Sequence, residues 1–349
     1  MNYTERECTL LALKHQDTPW VPAVDTGQDS CIPTVLEEGA RGLGITTDWF
    51  GVKYILREDQ PGPMPVESEP LIEEIEDWQD IVKFPNLDKY DWEGCAARDT
   101  ASWDRKNKVS NIILINGMFE SLHMFCGFEN ALCNIMTDED ACSDFMSAMA
   151  DYKIEVIRRV KKYYNADKIQ FHDDYANNMQ LFMDIPKWRR MIRPHLKRVV
   201  DATHECGMYY EHHSCGMIRD LVPDLVDLGI DALNPVQLQN NPKKLKDQFG
   251  DKLTLSGGFD NQGCIDRPDA TPEEVKASLQ RTLEVMAPGG KWIARTSFIN
   301  RSRTQLWLDV LDEYNRPLKE KCGVEAVRHV ASGIDLYDLS ERTGTTKRD

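Results

Sequence analysis

The segment 208–216 reads Met-Tyr-Tyr-Glu-His-His-Ser-Cys-Gly and brings a carboxylate, two imidazoles and a thiol together. If the segment forms a β-strand, alternate side chains share a face, so Glu211, His213 and Cys215 point to one side. An imidazole nitrogen and a sulfur at the end of one strand suit zinc. The alternative is a buried histidine beside an inert buried cysteine, and the segment alone does not decide between the two.

The elements that must position this segment alternate between strand and helix. Apolar, strand-like runs are predicted at residues 109–116, 168–172, 208–213, 230–236, 252–256 and 291–294. Helical patterns are predicted at residues 139–164, 186–206, 218–228, 242–249, 272–286 and 303–321. This alternation indicates a parallel sheet with helices packed on it.

The first third of the chain is less regular. Residues 4–14 predict an amphipathic helix that opens with a capping box, and residues 19–25 predict a strand. Residues 26–108 are rich in Pro, Gly, Asp and Trp and predict a cap or insertion, because so many aromatic residues imply packing. A further strand near residues 52–56 brings the predicted number to eight.

Eight strands with alternating helices predict an α/β fold of the (β/α)8 TIM barrel type with an elaborated N-terminal region. We expect one barrel domain over residues 1–349, with the insertion at 26–108 inside it. A doubly wound open sheet is the alternative. It is weakened because no Gly-x-Gly-x-x-Gly motif follows a predicted strand.

Polar side chains collect where the predicted strands end, and the chemistry of such barrels lies in the loops that follow the strands. Many Asp and Asn residues after strands only cap the next helix, and for Asn234 and Asp260 taken singly this is the better interpretation. Asp173 and Asp174 differ, because adjacent carboxylates repel and need a cation, a donor or solvent. The coincidence of strand ends predicts a site formed at residues 25, 116–120, 172–174, 213–215, 234–237, 257–260 and 295–297.

Composition excludes several classes of partner. Lys and Arg number 42 against 58 Asp and Glu, a net charge of -16, which argues against nucleic acid or an anionic membrane surface. No apolar run is long enough for a membrane helix, and the first residues lack the pattern of a signal peptide. The ten cysteines show no Cys-x-x-Cys spacing, so we expect reduced thiols and a cytoplasmic protein.

Several motifs carry a family resemblance. They lie at residues 186–197, 213–216, 229–237, 245–251 and 257–260, and include His-Ser-Cys-Gly, Gly-Ile-Asp-Ala-Leu-Asn-Pro-Val-Gln and Gly-Gly-Phe-Asp. Together with the opening residues 5–22, they resemble the uroporphyrinogen decarboxylase superfamily over nearly the whole chain. The resemblance implies a (β/α)8 barrel. It also implies one of two chemistries, porphyrinogen decarboxylation or methyl transfer to or from a corrinoid protein, the latter usually with zinc.

The chain departs from the decarboxylase branch of that superfamily. Those enzymes carry an arginine-rich segment after the first strand that binds the substrate's carboxylates, whereas residues 24–30 here are acidic and contain no arginine. A guanidinium is the natural partner of a carboxylate, and nothing in this segment replaces it. The methyltransferase branch has a His-x-Cys pair, which His213 and Cys215 match.

The resemblance leaves the third metal ligand open. Members that methylate thiols have a cysteine after a Pro-Gly near the last strand, but here that place reads Pro288-Gly289-Gly290. This speaks against thiol methylation and against zinc bound by two sulfurs. A site of His213, Cys215 and a carboxylate remains, with Asp174 as the expected ligand and Asp173, Glu211 and Glu120 as the other oxygen donors.

Residues 119–120, 128–130 and 173–174 are similar to members that begin the O-demethylation of methoxylated compounds. The resemblance therefore implies zinc-assisted methyl transfer from a methoxylated, aromatic substrate to the Co(I) of a corrinoid. The corrinoid is expected on a separate partner protein, because no corrinoid-binding Asp-x-His-x-x-Gly sequence occurs in this chain. A homodimer is a further expectation. The alternatives are a porphyrinogen or small-acid decarboxylase, a methyl-corrinoid:thiol or folate methyltransferase, and a non-enzymatic binding barrel.

Roles follow for individual residues. A Lewis acid or proton donor at an ether oxygen takes up the charge that develops when the methyl group leaves. The expected catalytic residues are Glu120, Asp173 and Asp174, and the expected metal ligands are His213, Cys215 and Asp174. The expected substrate-binding residues are Tyr209, Asn234, Gln237 and Asp260.

Overall fold

The computed structural model describes residues 3–39, 43–57, 63–296 and 301–331. Ten strands occur in these residues. In chain order they are β1 Gln28–Cys31, β2 Gly44–Thr47, β3 Lys53–Leu56, β4 Met64–Pro65, β5 Val109–Leu114, β6 Lys168–His172, β7 Tyr209–His213, β8 Ala232–Val236, β9 Thr254–Gly257 and β10 Trp292–Ile293.

Seven strands form one parallel sheet in the order β1-β5-β6-β7-β8-β9-β10. The two edges of this sheet approach each other, because Ala23 before β1 forms a parallel backbone bridge with Ala294 after β10. The Val24 N–H donates to the Ala294 carbonyl at 3.0 Å, and the Ala294 N–H donates to the Pro22 carbonyl at 2.8 Å. The sequence prediction of an α/β fold of the TIM-barrel type is confirmed.

Helices connect and cover these strands. In chain order they are α1 Glu5–Leu13, α2 Val24–Gly27, α3 Trp78–Ile81, α4 Trp92–Asp99, α5 Met118–Cys126, α6 Phe128–Thr137, α7 Glu139–Tyr164, α8 Ile185–Met191, α9 Arg193–Glu205, α10 Val222–Leu228, α11 Pro242–Phe249, α12 Pro272–Met286 and α13 Thr304–Lys321. None of the helices in the described ranges is both long and apolar enough to cross a membrane.

Two of the eight strands predicted for the barrel differ from the structure: one is not a regular strand, and the other lies outside the barrel sheet. Residues 19–25 supply only the bridge at Ala23 and then turn into α2, while the first regular strand, β1, lies inside the predicted insertion 26–108. The predicted strand at 52–56 corresponds to β3, which pairs antiparallel with β2 and β4 in a separate small sheet. The apolar pattern identified a strand there correctly, but it contains no signal that names the partner strand.

The later part of the barrel follows the prediction closely, with two differences. The predicted helix 186–206 is two helices, α8 and α9, because Pro194 lies at the start of the second and disfavours a continuous helix. Helices α5 and α6 were not predicted. They meet at Gly127, which has a φ of 79° and breaks the pattern between them.

The barrel interior is polar in its middle layer. Lys168 of β6 and Glu211 of β7 form an ion pair, and the side chain of each is only 1% exposed. Burying two charges costs several kcal/mol unless they pair with each other, so neither group is available to bind a metal ion. The prediction that Glu211 could serve as a metal ligand is therefore wrong.

The Lys168–Glu211 pair gives a test of the fold. Lys168→Met leaves the Glu211 carboxylate buried without its partner, and we expect a loss of about 3–5 kcal/mol in the free energy of unfolding, measured by urea denaturation. Lys197→Met, which breaks the exposed Lys197–Asp201 pair on α9, is the matched control and is expected to cost less than about 1 kcal/mol. Equal losses in the two variants would contradict the buried pairing.

Candidate functional site

The carboxyl ends of β6, β7 and β8 lie side by side. His172 pairs in register with His213, and His213 pairs with Asn234. The two imidazole rings stack with centroids 3.8 Å apart and planes 2° from parallel. His212 points the other way, as strand alternation predicts, and stacks on Tyr175 outside the sheet. The register therefore brings the predicted strand-end residues to one rim.

Three of the predicted residues converge at this rim. One donor atom from each of Asp174, His213 and Cys215 lies within 4.8 Å of the other two. The His213 Nε2 atom is 3.5 Å from Cys215 Sγ and 4.0 Å from an Asp174 oxygen. The Cys215 N–H also donates to Asp174 Oδ1 at 2.7 Å, so the backbone ties two of the three together.

Asn234 orients the imidazole of this triad. Its Oδ1 atom lies 2.7 Å from His213 Nδ1, and the side chain of Asn234 is fully buried. An amide oxygen can only accept, so Nδ1 carries the proton and Nε2 presents its lone pair to the other two ligands. This is the outer-shell contact that fixes the tautomer of a metal-binding histidine. Asn234 therefore orients His213 through its oxygen, while its predicted contact with substrate stays a prediction.

The triad fits a zinc ion. One nitrogen, one sulfur and one carboxylate oxygen are zinc's usual donors, at bond lengths of about 2.0–2.3 Å, so tetrahedral ligands lie roughly 3.3–3.6 Å apart. The observed 3.5 Å and 4.0 Å separations are close to this. Burial, followed by the charges of Asp174 and Glu120, raises the pKa of Cys215 to about 12, so a bound cation would be needed to hold it as thiolate.

Asp173 caps a helix. Its carboxylate accepts the Glu120 N–H at 2.9 Å and the Phe119 N–H at 3.4 Å, both at the start of α5, and the Tyr175 hydroxyl at 2.8 Å. The side chain is fully buried, and burial raises its pKa to about 7 despite these donors. With every contact directed at the protein, the predicted direct catalytic role is replaced by a positioning role for α5.

A glycine permits this contact. A Cβ on Gly117 would lie 2.5 Å from the Asp173 side chain and 2.6 Å from the His172 carbonyl oxygen, both closer than real contacts allow. The Gly117 N–H donates to that same carbonyl at 2.7 Å. Gly117 therefore lets the start of α5 approach the end of β6 and bring Glu120 to the rim.

Glu120 lies directly beside the triad. One of its carboxylate oxygens accepts the Asp174 N–H at 3.2 Å. Burial, with the added charges of Asp174 and Asp173, raises its pKa well above the ordinary value. Within the described ranges, no lysine or arginine forms an ion pair with it. Glu120 is thus a buried carboxyl group whose pKa is raised by burial and by its acidic neighbours, next to a candidate metal centre.

Of the remaining predicted substrate-binding residues, one lies near the triad, one caps a helical segment and one lies far from the site. Gln237 lies near the triad, where its Oε1 atom accepts the Gly216 N–H at 2.6 Å. Asp260 caps the short helical segment after β9 by accepting the Gly263 N–H at 2.9 Å. Tyr209 begins β7 and packs against the cluster that contains Ala12 and Ile293. That places it four residues, about 13 Å, before His213, so the structure does not bring Tyr209 to the site.

The place of the expected third cysteine also needs correction. Gly290 precedes β10, and a Cβ there would meet the backbone of Asp17 and Thr18 at the opposite end of the barrel. The carboxyl end of β10 instead reads Ala294-Arg295-Thr296. No cysteine follows the strand here either, so a carboxylate as third ligand still agrees with the chain.

Sequence reasoning named His172 and Arg295 among the strand-end residues without giving them a role, and it missed Gln170 beside them. Arg295, Gln170 and His172 line the barrel beside the triad, with Arg295 Nη1 donating to Gln170 Oε1 at 2.9 Å. Alternation along β6 could have placed Gln170 and His172 on the inner face. An aromatic group was also missed; its ring centroids lie 5.1–5.9 Å apart, and its members are Phe119, His123, Phe128 and Phe182.

The family profile of uroporphyrinogen decarboxylase (URO-D) matches residues 45–298, more than two thirds of the chain. The chain belongs to the uroporphyrinogen decarboxylase family. Its match spans the triad, Glu120 and Arg295. No curated protein gives a significant match to the sequence.

One solved structure shows the same fold over most of its length. A methyltransferase from Methanosarcina mazei superposes with a TM-score of 0.67 at 13% identity, covering 89% of this chain and 99% of that one. An N-acetyl-D-glucosamine-6-phosphate deacetylase from Mycobacterium smegmatis is also found, at 10% identity, a TM-score of 0.31 and coverages of 73% and 69%. At these identities the likeness to the methyltransferase concerns the fold, and the second likeness is too low to use.

Substitution of the two adjacent aspartates should lower the free energy of unfolding by different amounts. Asp173→Ala removes the cap of α5 and leaves the buried Tyr175 hydroxyl unpaired, which together should cost about 2–4 kcal/mol in the free energy of unfolding. Asp174→Ala is the matched variant. Its side chain is 33% exposed and accepts one backbone N–H, so we expect a loss of about 1 kcal/mol. A larger loss for Asp174→Ala in metal-free protein would refute this division of roles.

Proposed function

We propose that this protein is a methyltransferase that moves a methyl group from a methoxylated, aromatic substrate to the Co(I) corrinoid of a partner protein. The observation that carries the proposal is the convergence of Asp174, His213 and Cys215, with His213 held by Asn234 so that Nε2 faces the other two donors. Three protein ligands leave a fourth position for substrate, which is typical of catalytic zinc sites. The likeness to a methyltransferase structure points in the same direction.

The triad would hold zinc, which when bound supplies a Lewis acid for the ether oxygen of the substrate. Glu120 would hold a proton for the same oxygen, because it lies beside Asp174 and has no cationic partner in the part of the chain that the structure describes. Asn234 keeps the His213 lone pair directed into the site, and Asp173 keeps α5 in place. Co(I) on the separate partner would be the nucleophile.

The aromatic group supports an aromatic substrate. His123 lies three residues after Glu120 on α5, so the two are neighbours on one helix face. Burial lowers the pKa of His123 to about 4, and the neutral imidazole then behaves as an apolar ring beside Phe128 and Phe182. These three half-buried rings could pack on a substrate ring in the role first considered for Tyr209.

Decarboxylation of a small acid is the second candidate, and Arg295 is the observation that favours it. A rim of acidic and aromatic groups alone would have excluded this chemistry, but Arg295 lies inside the barrel next to the triad. It is one arginine and not a cluster, and the other barrel cation, Lys168, is paired with Glu211. Release of CO2 from small carboxylic acids, without corrinoid, would favour this candidate.

Metal content tests the triad. Protein purified without chelator should contain about one zinc per chain, measured by plasma mass spectrometry. His213→Ala and Cys215→Ser should each lose most of it, because two donors hold zinc far more weakly than three. Cys133→Ser, at an exposed cysteine on α6, is the matched control and should keep its zinc. Unchanged zinc in all variants would place the ion elsewhere.

Methyl transfer tests the function. Co(I) of a reduced corrinoid protein should convert to methyl-Co(III) when a methoxylated aromatic substrate is added, as followed in the cobalt absorption spectrum. Glu120→Gln should lower the rate about 100-fold, within the usual range for loss of a general acid, and should leave zinc in place. Full activity in both His213→Ala and Glu120→Gln would rule out the proposed mechanism.

A further inference from the structure

Arg295 forms no ion pair with any residue in the described ranges of the chain. It follows β10 and points into the barrel, where Nη1 donates to the neutral amide oxygen of Gln170. Its Nε atom is buried and has no hydrogen-bond partner. The charge of Arg295 reaches the buried Asp25 carboxylate, but the two form no ion pair, and Asp25 instead accepts the Trp307 indole N–H at 3.0 Å. A half-buried guanidinium without an ion-pair partner favours a ligand that brings a negative charge.

Two further donors lie on the same inner face. Asn234 and Ser256 follow the paired residues Leu233 and Leu255 of β8 and β9, and both are fully buried. Asn234 Nδ2 and Ser256 Oγ have no hydrogen-bond partner. Ser256 also pairs in register with Ile293, and Arg295 lies two residues further along the same strand face.

These donors lie next to the triad. The Asn234 oxygen accepts a hydrogen bond from His213, whereas its Nδ2 group has no partner and can donate to another acceptor. Arg295 is linked to the stacked imidazoles by contacts. Its Nη1 donates to Gln170 Oε1 at 2.9 Å, and Gln170 Nε2 lies 2.6 Å from Nε2 of His172, which stacks on His213. A metal ion held by the triad would repel this cation, and an anionic group between them would relieve the repulsion.

We propose that Arg295, with Ser256 Oγ and Asn234 Nδ2, binds a carboxylate of the substrate inside the barrel, so that the methyl donor is a methoxylated acid. A planar carboxylate matches the fork of the guanidinium, whereas a neutral methoxyarene would leave the charge unpaired. The net charge of -16 argues against a general attraction of anions to the protein surface, so selectivity would come from this site. The inference rests on the proposed function for the identity of the methyl donor only.

The test is binding without corrinoid, measured by isothermal titration calorimetry. The probes are 4-methoxybenzoate and its neutral counterpart 4-methoxybenzamide, with acetate as the smallest carboxylate and inorganic phosphate as a competing anion. We expect 4-methoxybenzoate to bind at least about tenfold more tightly than the amide, since a hydrogen-bonded charge contributes about that factor or more. Acetate should compete with it, and phosphate should not.

Variants test whether Arg295 is responsible for the preference for the acid over the amide. Arg295→Gln should remove the preference for the acid, and Arg295→Lys should keep part of it because the charge remains. Gln170→Glu keeps Arg295 but gives it a carboxylate partner inside the chain, and it should also remove the preference. Arg198→Gln, on the surface of α9, is the control and should bind as the natural chain does. Thermal unfolding checks that each variant is folded.

Three results would overturn the inference: equal affinity for acid and amide, an unchanged preference in Arg295→Gln, or no binding of either 4-methoxybenzoate or acetate. Binding equally strong for phosphate would replace the carboxylate site by a general anion site. Because no corrinoid is present, failure of methyl transfer with the acid preference intact would refute the proposed function alone. Methyl transfer without an acid preference would refute the carboxylate site alone.

Discussion

The site depends on the register of three parallel strands. Lys168–His172 pairs residue by residue with Tyr209–His213, and His213 pairs with Asn234 on the next strand. Since parallel strands end at one edge, this register delivers two imidazoles and an amide side by side. A shift of one residue in β7 would turn His213 toward the covering helices and His212 into the barrel, and the triad would not form.

The residues after these strand ends are of two kinds: some position other parts of the site, and others lie where a metal ion or substrate would bind. Asp173 is fully buried and accepts hydrogen bonds from the start of α5 and from Tyr175, and the Asn234 oxygen is bonded to His213, which leaves only its Nδ2 group without a partner. Glu120, Asp174 and Cys215 lie together at the rim, and burial raises the pKa of all three. Burial disfavours the charged form of each group, so a cation bound between them would stabilise their ionised forms.

The polarity of the barrel interior changes from one end to the other. Its amino end is apolar, with Ala12, Ala232 and Ile293 in one cluster. The middle holds the self-satisfied Lys168–Glu211 pair, and above it Gln170 and Arg295 lead to the rim. Charge is thus neutralised within the chain in the middle layer and left unpaired near the triad, where the proposed carboxylate would bind.

The sequence by itself determined the alternation of strands and helices, the inward face of 208–216 and the family, because these follow from local periodicity and motif spacing. It also identified Asp174, His213 and Cys215. It could not show that 52–56 pairs outside the barrel, that Asp173 caps α5, that Glu211 is bound by Lys168, or that Tyr209 lies at the far end. Those outcomes depend on partners 40 or more residues away for Glu211 and Asp173. The strand-end pattern placed Arg295 at the rim, but it could not show the contact with Gln170, because only the closed sheet brings the two across the barrel.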